Sequence, residues 1–130
     1  ASIVGVPKSS GNWDVTWLGD SVGYLSGTAF PTYLGNTVLT AHVWGADNLP
    51  GPFYGLEVLS YGERFTISAW GNTYTYEVRS NELYSPRNVR PLANLAEYDW
   101  VTLITCQGYD ESTDSYQFRR VVRAVLVAVD

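Results

Sequence analysis

Three side chains of this 130-residue chain could together carry out nucleophilic chemistry on a carbonyl group: Cys106, His42 and Arg119. A thiol is a strong nucleophile once it loses its proton, and a neighbouring imidazole can take that proton and pass it to a leaving amine. An arginine guanidinium can hold the oxyanion that forms when a peptide carbonyl is attacked. The chain contains one Cys and one His, so neither assignment has a competitor. The set is sufficient for acyl transfer from a peptide.

Taken singly, each of these residues has an ordinary structural explanation. A lone Cys at the end of an apolar strand is most often a small buried hydrophobic residue. An isolated His usually makes one structural hydrogen bond, and an Arg on a strand is usually solvated or salt-bridged. The sequence does not identify the orienting third member of a protease-like triad. The prediction therefore rests on the combination of the three residues.

The charge balance and the residue counts exclude several classes of function. The chain has eight Lys and Arg against thirteen Asp and Glu, a formal net charge of −5, and a net-acidic chain is a poor nucleic-acid binder. One Cys excludes an internal disulfide and a multi-cysteine zinc site, and one His excludes a His-rich metal site. We therefore expect no nucleic-acid partner, no metal site and no cofactor.

The sequence also bears on how the chain was processed. Met is absent even from position 1, so we expect that an initiator or leader has been removed. No apolar run approaches the roughly 18–20 residues that span a bilayer. We therefore expect a soluble body that has been trimmed of a signal or an anchor.

Strand patterns must supply the scaffold that positions these side chains. The predicted elements are a strand at 36–43, a hairpin at 63–79 that turns at 71–72, strands at 100–106 and 118–129, and short helical turns at 53–59 and 92–98. The last strand is so apolar that both of its faces should be covered. Seven or eight short strands in a chain of this length predict a closed barrel or a sandwich. Residues 1–20 are predicted to form an irregular lead-in, and residues 21–130 the folded domain.

The segments around the three candidate residues resemble one known family. Thr-Leu-Ile-Thr-Cys at 102–106 resembles the active-site strand of the sortases, which are cysteine transpeptidases of bacterial cell surfaces. Arg119 lies thirteen residues after Cys106 and begins Arg-Arg-Val-Val-Arg-Ala, which looks like the strand that follows in that family. Gly-Asn-Thr-Val-Leu-Thr-Ala-His at 35–42 resembles the segment that ends in the catalytic His. The resemblance extends from about residue 22 to residue 127.

The resemblance implies a fold, a reaction and a site. The fold would be mostly β, a single closed eight-stranded barrel over 21–130 with one or two short helices and the active site at one mouth. Sortases cleave a C-terminal sorting signal similar to Leu-Pro-X-Thr-Gly between Thr and Gly and pass the thioacyl group to an amine. Carried over to this chain, Cys106 is the nucleophile, His42 the proton-transfer partner and Arg119 the oxyanion stabiliser. Thr105 precedes the nucleophile and would line the substrate-binding site.

The same resemblance implies partners and a location. The partners would be secreted proteins that carry a sorting signal, and an amine acceptor such as a peptidoglycan precursor or a pilin lysine. The enzyme would act outside the cytoplasm at the cell surface, and it would contact the membrane through an anchor that this chain lacks.

Three departures from the family pattern refine these expectations. Ala41 stands where many relatives carry Gly before the His. Residues 21–42 contain no Asp or Glu for the calcium site that some relatives have, so we expect no activation by calcium. No Asp-Pro dipeptide occurs for the lid anchor of pilin-building relatives, so we expect an open cleft.

Three alternatives stay open at this point. The chain could be a pilin-polymerising sortase, or a simple cysteine peptidase in which water always resolves the acyl enzyme. It could also be an aromatic-rich β-barrel binding module with an inert Cys106, because the chain has 5 Trp, 10 Tyr and 4 Phe. Reactivity of the thiol and amine-dependent ligation of a peptide would distinguish these alternatives.

Overall fold

The computed structural model describes residues 2–9, 12–13, 15, 17–29, 35–43, 49–85, 91, 98–110 and 115–130. Its nine strands are β1 (Ile3–Val6), β2 (Lys8–Ser9), β3 (Asn12–Trp13), β4 (Val22–Leu25), β5 (Gly35–Thr40), β6 (Arg64–Ala69), β7 (Asn72–Tyr84), β8 (Asp99–Asp110) and β9 (Ser115–Val129). Within the predicted helical turn at 53–59, a short 3-10 helix spans Leu56–Val58. Most of the second predicted helical turn, at 92–98, lies outside the described residues. The fold is mostly β, as predicted.

Seven of the strands form one sheet in the order β1-β4-β5-β8-β9-β7-β6, and β2 and β3 form a separate two-stranded ribbon. Strand β1 runs parallel to β4, and β5 runs parallel to β8. The remaining neighbours in the large sheet are antiparallel. The order places β5, β8 and β9 side by side, and these are the strands that lead to the three candidate residues.

The predicted closed eight-stranded barrel is not what the described residues form. Their seven-stranded sheet curls into a half-barrel, and its edge strands β1 and β6 are not paired with each other in this part of the chain. A cavity of about 660 Å³ lies between the two edges and is lined by residues 2–5 on one side and 66–70 on the other. The curl therefore ends before the two edges come within hydrogen-bonding distance.

The amino-terminal residues take part in this sheet. Residues 3–6, which fall in the stretch predicted to be an irregular lead-in, pair with β4 from Ile3 opposite Val22 to Val6 opposite Leu25. Val6 is completely buried. Burial of such a side chain stabilises the strand by about 1.5–3 kcal/mol relative to leaving it exposed.

Apolar side chains cover both faces of the sheet. The first cluster lies on the face that carries the 3-10 helix, and it includes Leu39, Leu56 and Leu103. The second cluster lies on the opposite face and consists of four buried residues, Val6, Leu18, Leu25 and Val38. Val38 and Leu39 are neighbours in β5 and belong to different clusters. Both faces of β5 are therefore buried.

The turn of the β6–β7 hairpin lies one residue earlier than the sequence predicts. Ala69 pairs with Asn72, so the two turn residues are Trp70 and Gly71 rather than 71–72. Both have positive φ, 50° and 77°, as a two-residue type I′ hairpin turn requires. Glycine takes up this conformation readily, whereas Trp70 takes it up because the register of the hairpin imposes it.

Among the described residues, no helix has the length and apolar character needed to cross a membrane.

Candidate active site

The hairpin of β8 and β9 brings Cys106 and Arg119 together. In the antiparallel register of these two strands, Cys106 is the direct partner of Arg119. Directly opposed positions of an antiparallel pair lie on the same face of a sheet, with Cα atoms about 4.5–5.5 Å apart. Thirteen residues after Cys106, the chain has therefore turned back and reached the same level of the sheet at Arg119.

His42 reaches the same end of the sheet from the other neighbour of β8. The parallel pairing of β5 and β8 runs from Gly35 opposite Asp99 to Thr40 opposite Ile104. His42 and Cys106 each lie two residues beyond this last pair. Because the strands are parallel, both chains continue in the same direction. The three predicted site residues thus lie at neighbouring levels of the sheet: His42 lies just beyond β5, Cys106 lies within β8 and Arg119 lies within β9.

Two threonine side chains tie the chains together at this end. The Thr40 hydroxyl donates to the carbonyl oxygen of Ile104 at 2.9 Å, and the Thr105 hydroxyl donates to the carbonyl oxygen of Ala41 at 2.7 Å. We call these two reciprocal bonds the threonine clasp. It fixes the spacing of the two chains immediately before His42 and Cys106, where the regular ladder ends.

Thr105 therefore has a contact that the sequence did not indicate. Its side chain is buried, with 3% of its surface exposed, and its hydroxyl donates to the main chain that leads to His42. The substrate-binding role for Thr105 stays a prediction. The contact assigns to Thr105 a part in holding the site in shape.

The main chain of His42 is held from a further side by a tight loop. Gly51 N–H donates to the carbonyl of Val43 at 2.7 Å, and Phe53 N–H donates to that of His42 at 3.3 Å. A Cβ atom on Gly51 would lie 2.3 Å from the His42 carbonyl oxygen, so a larger residue cannot fit without movement of the backbone. Sequence reasoning missed Gly51, although its position between two prolines indicates a fixed turn.

Among the described residues, the ring of His42 makes a polar contact with one main-chain group, the carbonyl of Val15. Its Nε2 atom lies 3.1 Å from the carbonyl oxygen of Val15. A carbonyl oxygen accepts hydrogen bonds and cannot donate one, so Nε2 carries the hydrogen. The sequence could not reveal this partner, because a main-chain carbonyl has no sequence signature.

The neighbouring arginines have separate surroundings. Arg119 is half-buried, and its Nη1 makes a long contact of 3.5 Å with the carbonyl of Phe118. Arg120 is also half-buried, and its Nη1 donates at 3.1 Å to Oδ1 of Asn81. Asn81 in turn donates to the carbonyl of Leu59 at 2.8 Å, beside the 3-10 helix.

The pairing of β8 with β9 is regular from 118 to 125, so Arg119 and Arg120 point to opposite faces. The Arg120 guanidinium bonds a side-chain amide, so Arg120 links β9 to the segment that follows the 3-10 helix.

The described cavities lie away from these residues. One of about 390 Å³ is lined by apolar side chains that include Leu39, Phe53 and Leu103, and none of the four predicted site residues lines it. No group of three or more His, Cys, Asp or Glu in the described parts of the chain is placed to hold a metal ion.

Comparison with known proteins assigns the chain to a family. A family model of the sortase domain matches residues 4–127, which is nearly the whole chain. The chain therefore belongs to the sortase family. A search of curated proteins found no match.

Solved sortase structures share the fold. A lid mutant of sortase A from Corynebacterium diphtheriae is 29% identical, with a TM-score of 0.77 over 97% of this chain and 63% of that chain. Sortase C1 of GBS pilus island 1 is 31% identical, with a TM-score of 0.69 over 82% of this chain and 51% of that chain. The sortase D5 transpeptidase of Clostridium perfringens is 20% identical and shows likeness of fold alone, with a TM-score of 0.71 over 95% and 70%. The chain thus spans between about half and 70% of these solved chains.

Proposed function

We propose that this chain is the catalytic part of a transpeptidase that anchors proteins to the cell wall. It cleaves a C-terminal signal similar to Leu-Pro-X-Thr-Gly between Thr and Gly and transfers the new acyl end to an amine. The observation that supports this most directly is the register of the sheet. In the pairing of β8 with β9, Cys106 lies opposite Arg119. In the pairing of β5 with β8, the last pair is Thr40 and Ile104, and His42 and Cys106 each lie two residues beyond it.

The proposed reaction has two acyl transfers. In the first, His42 takes the proton of the Cys106 thiol, and a thiolate–imidazolium pair forms. The Cys106 sulfur attacks the Thr carbonyl carbon, a C–S bond forms, and the oxygen becomes an oxyanion held by the Arg119 guanidinium. Collapse of this intermediate breaks the C–N bond, and the His42 imidazolium gives its proton to the departing Gly amine. In the second, an acceptor amine attacks the thioacyl carbon and loses a proton to His42. The Cys106 thiolate then leaves, so the enzyme is restored.

The proposed partners follow from this reaction. The acyl donor is a secreted protein with a sorting signal, and the acceptor is an amine such as that of a peptidoglycan precursor. The location is extracytoplasmic, at the cell surface, with membrane attachment through a segment outside this chain.

One observation favours a second candidate, polymerisation of pilins. The GBS sortase that is 31% identical to this chain is named for a pilus island. In that case the acceptor would be a pilin lysine. Competition between a peptidoglycan-type amine and a lysine-containing pilin peptide for the same thioacyl enzyme would decide between the two acceptors.

The test is a peptide assay with mass spectrometry of the enzyme. With a Leu-Pro-X-Thr-Gly peptide, we expect release of the Gly-containing fragment and a covalent adduct on Cys106. Added amine should shift the product from hydrolysed to ligated peptide. Cys106→Ala should abolish both cleavage and adduct, because the chain has no other thiol, whereas Ser68→Ala at an exposed position of β6 should leave both unchanged.

Other outcomes would contradict the proposal. Hydrolysis that no amine diverts would make the protein a cysteine peptidase. Absence of cleavage, together with resistance of Cys106 to alkylation in the folded state, would favour the binding-module alternative.

A further inference from the structure

The contact between His42 and Val15 has a consequence for proton transfer. Since Nε2 donates its hydrogen to the Val15 carbonyl at 3.1 Å, a neutral His42 ring keeps its lone pair on Nδ1. A histidine hydrogen-bonded at one nitrogen is thereby fixed in tautomer and in ring orientation, and the other nitrogen is left for proton exchange.

The Val15 carbonyl is itself held in place. It also accepts a hydrogen bond from the N–H of Leu18 at 3.2 Å, so Leu18 holds it from a second side. Leu18 is 4% exposed and belongs to the second apolar cluster, against which Val15 also packs. A Cβ on Gly23 would lie 3.0 Å from a Leu18 methyl carbon, so the β4 backbone approaches this side chain closely. Burial of Leu18 therefore fixes the N–H group that holds the Val15 carbonyl.

We propose that the Val15 carbonyl is the orienting partner of His42, that Leu18 is a positioning residue for it, and that Nδ1 is the atom that exchanges a proton with Cys106. The inference rests on the proposed role of His42 in proton transfer. The carbonyl has the orienting role of the carboxylate in a serine protease triad, but it binds Nε2 rather than Nδ1 and carries no charge. It supplies orientation, and stabilises the imidazolium less than a carboxylate would.

The single His of the chain allows a direct test by NMR of the ¹⁵N-labelled protein. Two-bond proton–nitrogen correlations should show a protonated Nε2 and a bare Nδ1 when the ring is neutral. The Nε2 proton should exchange with water slowly in the wild type and rapidly in Leu18→Ala. Leu25→Ala is the matched control, because Leu25 is a buried leucine of the same cluster that lies in β4.

Activity provides the second measurement. Misplacement of a catalytic group by about 1 Å can cost about a hundredfold in rate. We expect Leu18→Ala to lower kcat by about ten- to a hundredfold with KM little changed, and Leu25→Ala to retain kcat although both variants lose stability. Leu18→Met, which keeps most of the buried volume, should restore both the wild-type kcat and the slow exchange of the Nε2 proton with water.

The failures of the two proposals are distinguishable. A ring protonated on Nδ1 in the wild-type protein would overturn the inference, and so would an Nε2 proton that exchanges equally fast in Leu18→Ala and the wild type. Neither result would affect the assignment of Cys106 as nucleophile. If His42→Ala retained full activity, the proposed function would lose its proton carrier, whatever the NMR result.

Discussion

The hydroxyl of Thr105 donates a 2.7 Å hydrogen bond to the carbonyl oxygen of Ala41, so the residue before Cys106 holds the residue before His42. The reciprocal bond from Thr40 to Ile104 completes the threonine clasp. The regular pairing of parallel β5 and β8 ends at Thr40 and Ile104. These side-chain bonds therefore extend the connection between the two strands toward the proposed site.

Replacement of Thr105 by Val should lower kcat by about tenfold, because Val keeps the shape but leaves the Ala41 carbonyl without its donor. A buried acceptor that loses its partner costs about 1–3 kcal/mol, so the free energy of unfolding should fall by a similar amount. Steady-state kinetics with a sorting peptide and denaturant unfolding measure the two effects. Thr105→Ser should recover most of both.

Thr40→Val is the matched control for the clasp. Thr40 is half-buried whereas Thr105 is buried, so water can replace the lost donor more easily at the Ile104 carbonyl. The effects of Thr40→Val on kcat and on the free energy of unfolding should therefore be smaller than those of Thr105→Val. A rise in KM with unchanged kcat in Thr105→Val would instead support contact of Thr105 with substrate.

Much of this site could be predicted because it depends on strand periodicity. Alternation along β9 separates Arg119 from Arg120, and the thirteen-residue spacing places Arg119 opposite Cys106. These are properties of a regular antiparallel pair, in which each residue has a fixed level and face. The alternation over 36–43 likewise places Val38 and Leu39 in different clusters.

The rest depends on contacts that a local pattern does not encode. Separation of the two edge strands is set by the curl of the whole sheet, so no single segment could predict that β1 and β6 stay unpaired in the described residues. Either 70–71 or 71–72 satisfies the local preference for Gly in a turn, and cross-strand register decided between them. The Val15 carbonyl belongs to the main chain, and any residue type could supply it.

The pH dependence of stability should include a contribution from Glu77. Hydrogen bonds from Arg79 and then from Arg64 hold the pKa of the Glu77 carboxyl below its ordinary value of 4.5. A pKa lowered in the folded state adds stability above the unfolded-state value, and that stability is lost as pH falls through the folded-state value. Glu77→Gln should therefore reduce the loss of stability as the pH is lowered below about 4.5.

Denaturant midpoints at pH 7 and pH 3 measure this effect. The difference between the two midpoints should be smaller in Glu77→Gln than in the wild type, by a modest amount because the arginine pairs are solvent-screened. Glu82→Gln on the same strand serves as the control. Equal differences in Glu77→Gln and the wild type would show that these ion pairs do not contribute to the loss of stability at low pH.

Gly51→Ala should impair the site through the main chain of His42. The added Cβ would lie 2.3 Å from the His42 carbonyl oxygen, so one of the two backbones must move. Overpacking of this kind costs typically about 1–3 kcal/mol of stability. We expect kcat to fall by at least tenfold, because His42 moves with its backbone.

Gly5→Ala is the control for this substitution, because nothing lies within 4 Å of an added Cβ there. It should retain wild-type kcat and stability. Wild-type kcat in Gly51→Ala would show that the loop at 51–53 does not set the position of the histidine.

Three arginines within five residues give the sharpest test of the proposed oxyanion site. Arg119 is the register partner of Cys106, Arg120 bonds the Asn81 amide on the other face, and Arg123 is the partner of Thr102, four residues before Cys106. Loss of one oxyanion donor costs on the order of 10²–10³ in turnover, so Arg119→Ala should lower kcat/KM by that factor with the fold intact. Arg119→Lys should recover little, because an ammonium lacks the planar fork of donors.

The other two arginines should respond differently in the same assay. Arg120→Ala removes a charged hydrogen bond worth about 1.5–3 kcal/mol, so it should lower the unfolding free energy while largely keeping kcat/KM. Arg123 shares a face with Arg119 but lies about 13 Å further along the strand, at roughly 3.3 Å per residue. Arg123→Ala should therefore keep turnover. If Arg123→Ala were crippled and Arg119→Ala near wild type, the oxyanion role would move to Arg123, and the pairing of Cys106 with Arg119 would have no catalytic meaning.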